Sequence, residues 1–277
     1  MNREGTNDTS KIHFLIGRPF ANRYTIKIKK QVENATHAQS ISSFQFENEI
    51  RFLYTINPSA YLNGKVEFTR YFTKNHTEMA DENKQMSSEE REVPSPFQIA
   101  LQAFNGAVFE MNVNDSGSIE SIDGLREFQS KFQHLYVSAS HEKMPGSLFN
   151  EAYFKDLFEK ISRILPVTGI SLNSQWERDE SAELGAGQRF DASYNCYKIT
   201  GEKIFVHSSM PIHSEITRDG LNVKMTGIEE GETVVEINSG MLIQSEKVQE
   251  LKGLLNLRGN ETTLISRITT TISSDDQ

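Results

Sequence analysis

The sequence predicts a mainly β (α+β) protein: antiparallel meander sheets, expected to be curved, with a central helical pair packed on one face. Three observations carry this. Apolar and polar residues alternate at period two over most of the chain. The alternation gives way to a three-and-four repeat only between Leu125 and Leu165. The strand-like runs are joined by short turns rich in Gly and Asn, which suit hairpins and leave no room for crossover helices.

Taken in order, residues 1-12 read as a disordered tail, because Met1 to Ser10 are polar throughout. An N-terminal antiparallel β half follows over 13-122. Tyr24, Ile26, Ile28 and Val32 share one parity, with Lys27, Lys29 and Gln31 on the other. Phe44, Phe46, Ile50, Phe52, Tyr54 and Ile56 keep even parity up to Asn57-Pro58, a pattern that a helix would not hold. Asn63-Gly64 reads as the next turn, before Val66, Phe68 and Phe72. Residues 79-96, acidic and holding two prolines, read as a mobile surface loop. Ala107, Phe109, Met111 and Val113 then alternate up to a turn at Asn114-Gly117, and Ile119 and Ile122 return to Asp123-Gly124.

The helical pair is placed at 123-166. Leu125, Phe128, Phe132, Leu135, Tyr136 and Ala139 form the stripe of the first helix, which Pro145-Gly146 breaks. Ser147 is the expected N-cap of the second, with Phe149, Tyr153, Leu157, Phe158, Ile161, Ile164 and Leu165 on its stripe, which Pro166 ends. The C-terminal antiparallel β half, 167-277, begins with a polar strand at Trp176. Turns are expected at Thr200-Glu202, at Glu229-Gly231 and at Gly259-Asn260. Residues 106–124 and 220–240 share a strand–acidic turn–strand pattern, a likeness that any meander yields more readily than two related halves about the helices would.

Composition narrows the function. The chain has 277 residues and a formal net charge of −9. Lys27, Lys29 and Lys30 are its nearest approach to a basic cluster, and Ile26 and Ile28 interleave them as on one face of a strand. No nucleic acid partner is expected, since phosphate binding needs a basic field. Cys196 is the single cysteine, so neither an internal disulfide nor a cysteine-based zinc site can form. No run approaches the ~18 apolar residues of a transmembrane segment.

Candidate chemistry is sparse. His134 and His141 stand seven apart, ~10 Å of helix rise and too far to share one ion. His207 and His213 are separated by Pro211, which argues against a common strand. Gly185-Ala186-Gly187 has neither a third glycine nor a following helix to cradle phosphate. Ser140 to Lys143 spells S-x-x-K without the companion S-D-N. No catalytic, metal or cofactor site is therefore assigned.

The run Phe104 to Leu125, FNGAVFEMNVNDSGSIESIDGL, carries a G-x-x-F strand followed by G-x-[IV]-x-x-[IV]-x-G from Gly117 to Gly124. Leu165-Pro166, Gly169 and Trp176 follow the helices. Together these motifs resemble a family of exported bacterial proteins of unknown function, common in Bacteroidetes and often lipid-anchored. The resemblance covers most of residues 20–245, although Gly169 and Trp176 stand further apart here than in that family. It implies a location in the bacterial periplasm or outer cell envelope, with the polar start as the spacer left after signal removal and a lipid anchor upstream. The alternative is a cytoplasmic protein with a loose tail.

The expected function is a non-enzymatic binding or scaffold protein of that envelope, with an apolar small molecule or an envelope protein as partner. An apolar ligand would lie between sheet and helices. Phe128, Phe132, Phe149, Tyr153 and Phe158 are the candidate lining, of that ligand or of an ordinary core. The alternatives are a hydrolase whose site is dispersed in sequence, with Trp176, Glu177, Asp179 and Glu180 along a polar cleft, and a structural surface protein.

Overall fold

The computed structural model describes residues 20–35, 41–58, 62–79, 94–114, 117–140, 149–181, 188–218, 221–257 and 260–275. Eleven described strands form one antiparallel sheet. Five precede the main helices: β1 (Phe20–Ala35), β2 (Ile41–Pro58), β3 (Leu62–Met79), β4 (Val108–Val113) and β5 (Ile119–Asp123). Six follow: β6 (Gln175–Ser181), β7 (Arg189–Thr200), β8 (Lys203–Arg218), β9 (Leu221–Glu236), β10 (Leu242–Leu257) and β11 (Asn260–Ser274). The order across the sheet is β5-β4-β3-β2-β1-β11-β10-β9-β8-β7-β6. The chain thus starts mid-sheet, walks out to one edge, crosses to the other edge through the helices, and walks back until β11 pairs with β1 from Tyr24↔Ser274 to Ala35↔Thr263.

Alternation decides which side chains face inward. Even positions of β1, β2, β8 and β11 and odd positions of β9 and β10 form the inner face, with Tyr24, Ile26, Ile50, Phe52, Tyr54, Val206, Met210, Val235, Leu251 and Ile272 all buried. The outer face of β1 carries Lys27 and Lys29, and Lys27 lies 3.8 Å from Glu49 on β2. Cys196 is buried on β7.

Several local expectations are corrected. Asn63-Gly64 lies inside β3, where Asn63 pairs with Asn57. Glu229-Gly231 is no turn but the middle of β9, paired with β10 from Gln249 to Lys247. The likeness between residues 106–124 and 220–240 is not a repeat of structure: one stretch is the β4–β5 hairpin and the other the single strand β9. His207, Pro211 and His213 share β8, with Pro211 just beyond Ser193↔Ser209, the last pair with β7. There the missing N–H need not break the ladder between those strands. The acidic loop lies outside the described residues from 80 to 93, as do Ser147, Gly185 and His141.

Three helices are described. The short α1 (Pro96–Ala100), not foreseen from the pattern, opens with a capping box between Ser95 and Gln98 and has Pro96 in its first turn. A 3-10 turn, Leu101–Phe104, follows it. The helical pair is α2 (Leu125–Ser140) and α3 (Glu151–Ser162). The N-cap of α3 is Asn150, whose Oδ1 accepts from the Tyr153 N–H at 2.9 Å. Gln129 of α2 donates to the Phe149 carbonyl at 2.8 Å and ties the two helices together.

The helix α3 touches both edges of the sheet. Towards β5, Glu159 accepts from the Ile119 N–H at 2.9 Å, and Lys155 donates to the Glu120 carbonyl at 2.7 Å. Ser162 donates to the Gly117 carbonyl at 2.9 Å, in the turn that leads into that strand. Gly117 is required there: its φ is +80°, and a Cβ would lie 2.3 Å from the Ser162 carbonyl oxygen. Towards β6, the Ser181 hydroxyl bonds to Asp156. At the β5 edge, side chains of the helix therefore satisfy backbone groups that an open edge strand would offer to another chain.

The sheet is also sharply curled between β9 and β10. Built on the backbone, a Cβ at Gly227 would lie 1.9 Å from the Glu250 carbonyl oxygen, one at Gly253 2.0 Å from that of Lys224, and one at Gly231 2.7 Å from that of Glu246. All three glycines face inward, and each meets the neighbouring strand of this pair. They mark a crease that a side chain would prevent.

Candidate functional site

The five residues singled out from the sequence come together in the aromatic core. Phe128, Phe132, Phe149 and Phe158 are buried, and Tyr153 packs against them. The rings of Phe132 and Phe149 lie 5.1 Å apart at 71°, and those of Phe149 and Tyr153 5.1 Å apart at 77°. Phe158 reaches further, to Phe52 at 5.8 Å and Phe68 at 6.0 Å on the sheet. Phe104, which the sequence marked only as the start of a motif, and Phe154 complete the cluster: Phe104 lies 4.6 Å from Phe128, and Phe154 4.7 Å from Phe109. These edge-to-face and tilted contacts are those of rings that fill one another's space.

A second cluster is polar and was not legible as a unit. Glu180 on β6, 6% exposed, bonds to the Arg178 guanidinium and accepts from Lys247 Nζ at 2.8 Å. Lys247 on β10 also lies 3.4 Å from Glu229 on β9. Burial alone would push the Glu180 carboxyl up. The Lys247 ammonium and the Arg178 guanidinium outweigh that and hold it at about 2. Burial likewise disfavours the charged Lys247, but the carboxylates of Glu180 and Glu229 keep its pKa above the ordinary lysine range. Tyr194 lies among these charges. Its ring stacks on Trp176 at 5.4 Å, and the Arg178 guanidinium sits 5.3 Å from the ring centroid.

The cavity at this cluster, bordered by Lys160, Arg178, Tyr194 and Lys247 among others, has a volume of about 20 Å³. That is room for about one water and no more. Arg178 and Lys247 pair with Glu180 and Glu229 around a water-sized hole, and these pairs hold strands together, although Arg178 Nη1 is buried without a hydrogen-bond partner. The hydrolase cleft is also divided. Strand alternation turns Trp176 and Glu180 inward and Glu177 and Asp179 outward, so the four residues do not share a cleft.

Past Lys247 the inner face continues for two more inward positions on β10, Gln249 and Leu251, before Gly253. Gln249 is 1% exposed, and neither its amide oxygen nor its nitrogen has a hydrogen-bond partner. Ser266 on β11, opposite Leu251, and Ser214 on β8, opposite Met225, are also buried with unpartnered hydroxyls. The apolar inward side chains nearby are Met210, Ile212, Met225, Leu251 and Ile268, while Glu229 on β9 and Lys30 on β1 share the row of Gln249. Each buried polar group left without a partner costs ~1–3 kcal/mol. Nothing in the sequence distinguished Gln249 from the solvent-facing glutamines, because the crease that buries it depends on strand order.

The outer side of the same strands carries an open cleft of about 550 Å³, lined by residues of β1, β9, β10 and β11. Ile228 and Ile265 stand exposed on it, beside Glu250 and Arg267, which pair at 3.1 Å. Among the described residues, no cluster of His, Cys, Asp and Glu is arranged to hold a metal ion. No described helix is long and apolar enough to cross a membrane.

No curated protein matches the chain. A solved structure of lipovitellin, described for its lipid–protein interactions, aligns with 92% of this chain and 25% of its own, at 9% identity and a TM-score of 0.47. The chain thus spans about a quarter of that protein's length. Residues 63–242, from the second residue of β3 to the first of β10, match the model of the family of unknown function DUF6263, and the chain belongs to that family.

Proposed function

We propose that this protein is a non-enzymatic binding protein that takes an amphiphilic small molecule between the two leaves of its curled sheet, past Lys247. The observation that carries the reading is Gln249, enclosed with both ends of its amide unpaired, beside the unpaired hydroxyl of Ser266. An occupant with a polar group at this point would remove a cost that the closed protein bears. The glycine crease supports the reading, since Gly227, Gly231 and Gly253 form a line without side chains along which the leaves can part. The aromatic cluster under α2 and α3 then serves as the fixed end of the interior, and the Glu180–Lys247 pair as the clasp beside the entry. A location in the bacterial cell envelope is part of the proposal, and cell fractionation tests it.

The test is native mass spectrometry of the protein purified from its own cells, before and after organic extraction. Extra mass that extraction removes, and that Gln249→Leu reduces, supports the reading. The same apo mass before and after extraction, with no uptake of added amphiphile, would overturn it.

A further inference from the structure

Resting on that reading, we infer that the ligand's head is uncharged and carries a hydroxyl or amide group, so that the site takes neutral amphiphiles and rejects fatty-acid anions. Gln249 offers an N–H donor and a carbonyl acceptor, and Ser266 a hydroxyl that both donates and accepts. Such a pair matches a head that also does both. The register makes the two residues neighbours: Gln249 pairs with Ile268 and Leu251 with Ser266, so Gln249 and Ser266 stand diagonally on the same face of adjacent strands.

The charges around them argue against an anion. Glu229 is the direct cross-strand partner of Gln249 on β9 and largely buried, so a carboxylate at Gln249 would lie beside another carboxylate out of water. The nearest cation, Lys247, already lies 2.8 Å from Glu180 and 3.4 Å from Glu229. Lys30, which faces inward from β1 in the same row, is itself engaged. A hydroxyl head meets none of this repulsion and can donate to Glu229. The tail would lie among Met210, Ile212, Met225 and Leu251, where two flexible thioethers adapt to a chain that is not part of the core.

The experiment offers the full-length protein, stripped by organic extraction, a monoacylglycerol and the ionised fatty acid of the same chain length, with binding read by native mass spectrometry and calorimetry at neutral pH. The monoacylglycerol is expected to bind at least about tenfold more tightly. Glu229→Gln, checked for folding by thermal unfolding, is expected to narrow that preference by improving the fatty acid. Equal or tighter binding of the fatty acid to the wild type would overturn the neutral-head inference and leave the binding reading standing. Binding of neither probe, with no extractable mass in the native protein, would overturn both.

Discussion

Glu180 and Lys247 lie 67 positions apart in the chain and four strands apart in the sheet, yet Glu180 Oε2 and Lys247 Nζ are separated by 2.8 Å. Four strand spacings in a flat sheet amount to ~19 Å. The contact therefore requires the sheet to curl between β6 and β10, so that its β6 edge folds back over β10. Removing the lysine from this buried pair takes the cation from Glu229 and leaves Glu180 with Arg178 alone. Lys247→Met is expected to lower stability by ~3–5 kcal/mol, and combining it with Glu180→Gln to recover part of the loss. A double-mutant cycle by urea unfolding measures it; additive effects would show that the two side chains do not act together.

The same pair sets an acid limit. The Glu180 carboxyl titrates at about 2 in the folded protein against 4.5 ordinarily. Its folded value is depressed, so its contribution is complete above the ordinary value and is lost as pH falls towards the folded one. Between these values the protein is expected to lose ~3 kcal/mol that Glu180→Gln does not lose. Denaturant titrations of both proteins at a series of acidic pH values provide the comparison.

The crease depends on glycine. Gly227→Ala sets a methyl 1.9 Å from the Glu250 carbonyl oxygen, which only backbone movement can relieve. A loss of ~2–4 kcal/mol is expected, measured by chemical unfolding. An alanine with unchanged stability would mean that the sheet is flatter there.

Glu159 caps the β5 edge by accepting from the Ile119 N–H. Glu159→Ala is expected to cost ~1–3 kcal/mol and to raise self-association, because it frees an edge donor. Glu159→Gln keeps an acceptor and should restore most of both. Thermal unfolding and light scattering report the two effects separately.

Much of the local structure is legible from alternation and periodicity. The even parity from Ile50 to Ile56 marks a half-buried strand, and those residues line the core. The stripe Phe128, Phe132 on α2 and Leu157, Phe158, Ile161 on α3 marks the buried faces of two helices. Both signals are local, since the period of a strand or helix is written in neighbouring residues. Gly231 shows where that logic stops. A glycine between glutamates resembles a turn, but here it sits mid-strand because a neighbouring backbone passes where its side chain would be.

By itself the sequence determined the antiparallel strands, the helical pair and the aromatic residues that pack it. Each follows from the burial of one face of an element, whatever that face meets. Only the tertiary structure decided that β1 pairs with β11, that α3 bonds to both sheet edges, and that Glu180 meets Lys247 while Gln249 is enclosed beside them. Alternation states which face of a strand is buried but not which strand lies next to it. A site assembled from β6, β9, β10 and β11 therefore has no signature until the sheet is ordered and curled.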